Sequence, residues 1–173
     1  MFKLPPGMID TWRAMGKPIA SPADIARLES ELGTRLPAPY VEFVGRYGFV
    51  VFGGDAERRA VFSYVIDQPG QREAREDVVR YMFNPDMLMT IYRYMISTDE
   101  PDDESRPMIP RAYLPVASDA GHGRILLELE GRPGRVWYWP ERDSRWGTED
   151  NTQLGYVAEN FEDFINGLRP DPL

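Results

Sequence analysis

The chain has no cysteine, a single histidine and no apolar run of the roughly 20 residues needed to span a bilayer. Without cysteine there can be no disulfide, no thiolate nucleophile and no cysteine metal site. Such a composition suits a reducing compartment. With His122 as the sole imidazole, two-histidine zinc motifs are impossible, and any Ser-His-Asp arrangement would rest on that one residue. The N-terminus carries Lys3 but no apolar stretch behind it, so it does not read as a signal peptide, and a cytoplasmic location is expected. Basic residues are also in short supply. Twenty Lys and Arg stand against 28 Asp and Glu, a formal charge of −8, which makes the chain ill suited to hold a phosphate backbone and better suited to a basic protein partner. No Gly-x-Gly-x-x-Gly follows a strand, and neither a phosphate-binding Gly-Lys-Ser/Thr loop nor a Gly-x-Ser-x-Gly elbow occurs.

What is present reads as one α+β domain: a meandering antiparallel sheet with N- and C-terminal helices packed on it. The length of 173 residues and the 42% hydrophobic content suit a single core. Residues 1–20 read as an arm that packs back through Trp12, residues 21–169 as the domain, and 170–173 as a short tail. Ser21 is a helix N-cap followed by Pro22 and Asp24; Ile25, Leu28 and Leu32 share a face, and Gly33 ends the helix. A second helix is expected over 38–47, stopped by Gly48. Residues 49–52 and 61–66 read as two strands forming a hairpin or nearby antiparallel pair across a polar turn at 55–59. Asn84 and Pro85 announce a helix whose stripe is Leu88, Ile91, Tyr92, Met95 and Ile96, whereas 76–83 could be a further helical turn or an extended connection. Five of the eight methionines fall between Met82 and Met108, and their helical spacing points to core filling rather than an adaptable surface.

In the C-terminal third, 113–118 reads as a strand and 119–123 as a turn. Ile125, Leu127 and Leu129 alternate with Leu126, Glu128 and Glu130. The strand 135–139 should pair with it antiparallel, placing Trp137 and Trp139 on one face and Val136 and Tyr138 on the other. These tryptophans could offer a stacking platform to a base or sugar, but one face of the strand must lie under a helix, which favours core or rim packing. The last helix is expected to carry Val157, Phe161, Phe164, Ile165 and Leu168 on one stripe.

The order of these pieces resembles the SUKH superfamily, which includes the yeast cell-wall-synthesis regulator and many bacterial immunity proteins. The likeness opens with Ser21-Pro22-Ala23-Asp24-Ile25 and Leu28-Glu29-Ser30-Glu31-Leu32-Gly33. It continues through Leu36-Pro37-Ala38-Pro39-Tyr40, Phe43 and Tyr47-Gly48. It returns at Tyr113-Leu114-Pro115-Val116-Ala117-Ser118-Asp119, at Val136-Trp137-Tyr138-Trp139 and in the closing segment 158–168. The resemblance implies a protein-binding domain with no cofactor, no metal and no catalytic residues. In bacterial members it implies an immunity protein that neutralises a toxin, often a nuclease, in the cytoplasm.

The expected contact surface is the acidic loop carrying Asp99, Glu100, Asp102, Asp103 and Glu104, with Trp146 and the His122 turn as secondary candidates. That loop lacks the calcium-loop pattern of alternating acids, central glycine and final glutamate. Two alternatives stand against an immunity role. One keeps the fold as a regulatory scaffold for cellular proteins. The other is an enzyme working through His122 and carboxylates, although a polar residue between two glycines is also what a turn needs for backbone reasons.

Overall fold

The computed structural model describes residues 1–3, 19–52, 58–68, 70–99, 104–119 and 121–172. In chain order these form α1 (Pro22–Leu32), α2 (Ala38–Tyr47), β1 (Arg58–Gln68), β2 (Gln71–Met82), α3 (Pro85–Ile96), β3 (Tyr113–Asp119), β4 (Arg124–Glu128), β5 (Val136–Trp139), β6 (Gly155–Ala158), α4 (Phe161–Asn166) and β7 (Arg169–Pro172). Strands β2 to β6 meander in order, and β1 then pairs with β6, β7 and β2, so the antiparallel sheet closes into a barrel-like ring. The α+β architecture expected from the sequence is therefore observed.

Local chemistry explains the helix starts. The Ser21 hydroxyl accepts from the Asp24 amide at 3.1 Å while the Asp24 carboxylate accepts from the Ser21 amide at 3.0 Å, a reciprocal cap with Pro22 in the first turn. The Ser21 hydroxyl, 2.7 Å from the Asp24 carboxylate, and then the Ser21 amide hold the Asp24 carboxyl below its ordinary pKa. Asn84 and Asn160 cap α3 and α4 through the amides of Met87 and Asp163.

Each face of the sheet closes over its own apolar cluster. One face carries Phe62, Tyr64, Ile125, Leu127, Val136 and Tyr138, packed against Leu28, Tyr40, Phe43 and Val44 of the first two helices, Leu88 of α3, and Phe161, Phe164 and Ile165 of α4. Phe161 meets Tyr40 and Phe43 edge-on, with ring centroids 5.2 and 5.5 Å apart. Each such fully buried side chain contributes about 1.5–3 kcal/mol, so this cluster dominates folding. The other face presents Leu126, Trp137 and Trp139 to a smaller cluster with Met95, Met108, Ile109, Trp146 and Leu154. Trp137 and Trp139 thus share a face opposite Val136 and Tyr138, as period-two alternation requires. Met82, Met89, Met95 and Met108 are buried and Met87 is exposed, so core filling accounts for four of the five methionines in that stretch.

The structure corrects the sequence reading at three places. Residues 49–52 do not pair with 61–66. Val51 forms an isolated bridge with Tyr81, Phe52 N–H donates to Arg80 O at 2.7 Å, and Met82 N–H donates to Val50 O at 2.9 Å. The long partner of β1 is β2, in a register that sets Asp67 opposite Arg72 and Ala60 opposite Val79. Of the two alternatives left open for 76–83, the extended one is observed: residues 76–82 belong to β2, where Val78, Val79 and Tyr81 suit a strand. The last helix starts at Phe161, not Val157; Val157 lies in β6, whose pairing with β5 and β1 overrides the helical spacing. Gly155 permits that strand, since a side chain there would collide with the Tyr64 ring. Residues 170–172, expected as a tail, continue the sheet as part of β7 along β1. The expected packing of Trp12 and the 55–59 turn fall outside the described residues, apart from the backbone of 58 and 59 in β1.

Candidate functional site: two acidic loops over the smaller cluster

The smaller cluster is roofed by loops. After α3 the chain doubles back: Met108 N–H donates to Met95 O at 2.8 Å, and the Arg106 guanidinium donates to Tyr94 O while lying 3.6 Å from the centre of the Tyr94 ring. A cation is well placed there, because the last carbonyls of a helix carry partial negative charge. Arg106 is buried, and the ring above it is 57% exposed, so an aromatic side chain stands at the surface on a fixed support.

The second loop, residues 141–151, is clamped to the first by Asn151, which is fully buried. Its side-chain oxygen accepts from Trp139 Nε1 at 2.8 Å, and its Nδ2 donates to Met108 O at 3.0 Å and to Ser144 O at 2.8 Å. The Trp146 amide donates to Pro107 O at 3.1 Å. Trp146 is half-buried against Tyr113, ring centroids 6.3 Å apart, and Trp137 donates through Nε1 to the nearly buried Glu128 at 2.9 Å. The tryptophans are cluster and rim residues, as the sequence favoured.

Asp99 and Glu104 are exposed on the first loop, and Glu141, Asp143, Glu149 and Asp150 on the second. Glu100, Asp102 and Asp103 lie outside the described residues. By sequence, 97–106 and 141–151 together hold nine acids and three bases, a net −6 of the chain's −8. His122 is 85% exposed and its Nδ1 lies 3.1 Å from Glu141 Oε2, so the His122 turn touches the start of the second loop. The structure thus joins Trp146 to the end of the acidic loop, and His122 to the loop that bears Trp146. Three contributors escaped the sequence reading: Asn151, Arg106 and Tyr94. A lone Asn after Glu149 and Asp150 looks like ordinary loop polarity, and the Arg106–Tyr94 stack depends on a chain reversal that periodicity does not report.

Beneath the His122 turn lies a polar network. Asp119 accepts from the amides of Gly121 and Gly123 at 2.6 and 3.0 Å, and the Tyr138 hydroxyl lies 2.7 Å from Asp119 Oδ2 and 2.8 Å from Asp77 Oδ2. A side chain at residue 123 would strike both Asp119 and Tyr138. Burial, then the two carboxylates, push the Tyr138 phenol pKa upward. The glycines beside His122 therefore serve the turn. Among the described residues no group of three or more His, Asp or Glu could hold a metal ion, and no helix is long and apolar enough to cross a membrane.

The fold is thus a ring-closed antiparallel sheet with helices packed on its larger cluster and loops, with the end of α3, over its smaller one. A model of the SMI1 / KNR4 family (SUKH-1) matches residues 19–167, and the chain belongs to that family. It is also 21% identical over 155 residues to the SPbeta prophage-derived uncharacterized protein YokK of Bacillus subtilis (strain 168), covering 86% of this chain and 74% of that one. Membership supports a non-catalytic immunity or binding role in general and protein partners; the family is generally non-enzymatic.

Proposed function

We propose that the chain is an immunity protein that neutralises a toxin domain by binding it through the two acidic loops over the smaller cluster. The observation that supports this reading is the segregation of charge: by sequence, most of the net negative charge falls in the segments 97–106 and 141–151, and Asn151 and the Pro107–Trp146 hydrogen bond hold residues 107–108 against the second segment. An acidic surface with half-buried aromatic residues at its base suits a basic partner; the charges speed encounter and the aromatic groups supply the desolvated anchors. A basic, nuclease-like toxin domain meets that description, because a protein that holds a phosphate backbone presents clustered Lys and Arg.

The experiment is a binding titration against the toxin domain encoded in the immediate gene neighbourhood, using the full chain and a variant with Asp99, Glu100, Asp102, Asp103 and Glu104 changed to Asn or Gln. The variant is expected to bind at least about tenfold more weakly and with a flatter salt dependence. Unchanged affinity and unchanged salt dependence would sink the assignment of the surface. His122→Ala is expected to alter affinity little, because its imidazole is solvated.

A further inference from the structure

The outer face of the β1–β2 hairpin is a second surface, built on different principles. Phe62 and Tyr64 point into the larger cluster, so the alternate positions face outward in four cross-strand pairs: Val61 with Val78, Ser63 with Glu76, Val65 with Ala74, and Asp67 with Arg72. The 3.4 Å contact between Ser63 Oγ and Glu76 Oε1 agrees with this orientation. These residues are exposed or half-buried. Next to them the sheet forms a cavity of about 520 Å³ lined by Val65, Asp67, Arg72, Trp137, Leu154 and Tyr156. Its wall is the Arg135 guanidinium, bound to both Glu159 carboxylate oxygens at 2.7 and 2.9 Å and lying over Tyr156 and Trp137 at 5.5 and 5.9 Å from the ring centres.

Charge on this face cancels. Asp67, Glu76 and Glu159 stand against Arg72, Arg135 and Arg169. The Arg135–Glu159 and Arg169–Glu76 pairs are satisfied within the chain. Asp67 and Arg72 lie opposite one another in register, yet neither makes an ion pair among the described residues. A chain of net charge −8 repels its own copy over most of its surface, and the repulsion vanishes where the local charges balance. A two-fold axis makes residue i of one copy meet residue j of the other and the reverse.

We propose that the outer face of the β1–β2 hairpin is a self-association surface, on which a second copy of this chain packs its valine pairs and aromatic groove while Asp67 and Arg72 of each copy pair reciprocally. An apolar centre with a balanced charged rim is the composition such contacts use. This inference is independent of the toxin-binding reading, which concerns the other loops.

Sedimentation velocity on the full chain across a concentration series, from about 1 μM to about 1 mM, tests it. A dimer is expected to grow in with concentration. Asp67→Arg and Arg72→Asp are each expected to weaken it by about tenfold or more, and the double exchange to recover most of that loss. Val65→Glu should leave a monomer whose circular dichroism and melting curve show it folded. A wild-type chain that stays monomeric throughout overturns the proposal. A dimer indifferent to the charge exchanges and to Val65→Glu overturns it equally.

Discussion

The two apolar clusters are closed by different means. The larger is sealed by helices, whose own hydrogen bonds are internal and whose apolar stripes do the covering. Ion pairs such as Arg27–Asp86 at 2.7 Å and Arg93–Glu31 at 2.6 Å tie α1 to α3 at the surface, where solvent screens them and they add little. The smaller cluster is sealed by the end of α3, through Ile91, Met95 and Ile96, together with two loops held through one buried amide and a few main-chain contacts. A helical lid fixes its sequence through packing. A loop lid fixes only its anchor points and leaves the residues between them free to face a partner. On the proposed reading, the helix-covered side of the sheet carries stability and the loop-covered side would carry recognition.

The sharpest way to break this comparison is to remove an anchor from each side. Phe161→Ala in the larger cluster is expected to cost about 3–5 kcal/mol in denaturant unfolding, through lost burial and a cavity under two aromatic neighbours. Asn151→Ala is expected to cost about 2–3 kcal/mol, because it orphans the buried Trp139 Nε1 and the Met108 and Ser144 carbonyls. It should also release the Trp146 loop, seen as a tryptophan fluorescence shift and a loss of partner affinity that Phe161→Ala does not produce in the protein that remains folded. Equal effects of the two changes on binding would erase the distinction.

Two tyrosines on the larger cluster sharpen the comparison further. Tyr138→Phe is expected to destabilise by about 1–2 kcal/mol, since it strips Asp119 and Asp77 of a buried donor. Tyr40→Phe is expected to be neutral or to stabilise by up to about 1 kcal/mol, because the buried Tyr40 hydroxyl has no hydrogen-bond partner among the described residues. Both phenols have raised pKa values, Tyr40 by burial and Tyr138 by burial and its carboxylate neighbours. A group whose folded pKa is raised contributes its stability below the unfolded value and loses it as pH climbs. Melting temperature should therefore fall once pH exceeds the free phenol value of about 10, and the fall should be shallower in Tyr40→Phe.

Much of this was legible in the sequence, for reasons that can be named. Ser21, Pro22 and Asp24 announce α1 because a cap is a local event within four residues. The alternation from Ile125 to Glu130 announces β4 by its period of two, although the structure buries both faces of the strand from Ile125 to Glu128. Strand β2 was illegible: Gln71-Arg72-Glu73-Ala74-Arg75-Glu76 has little strand preference of its own and is held by β1. Val157 misled because it falls four residues before Phe161, the spacing of a helix face, while cross-strand pairing decided its conformation. At the candidate site, the acidic residues and Trp146 could be picked by type. Their union could not, because the Asn151 bond to Met108 spans 43 residues of chain.

The proposed binding role is tested most directly by the affinity of the full chain for a toxin domain encoded beside its gene, at about 50 mM and about 300 mM salt, with the five-acid variant measured alongside. The account predicts strong salt dependence in the wild type, and weak binding with little salt dependence in the variant. Equal affinity and equal salt response in the two proteins would contradict it.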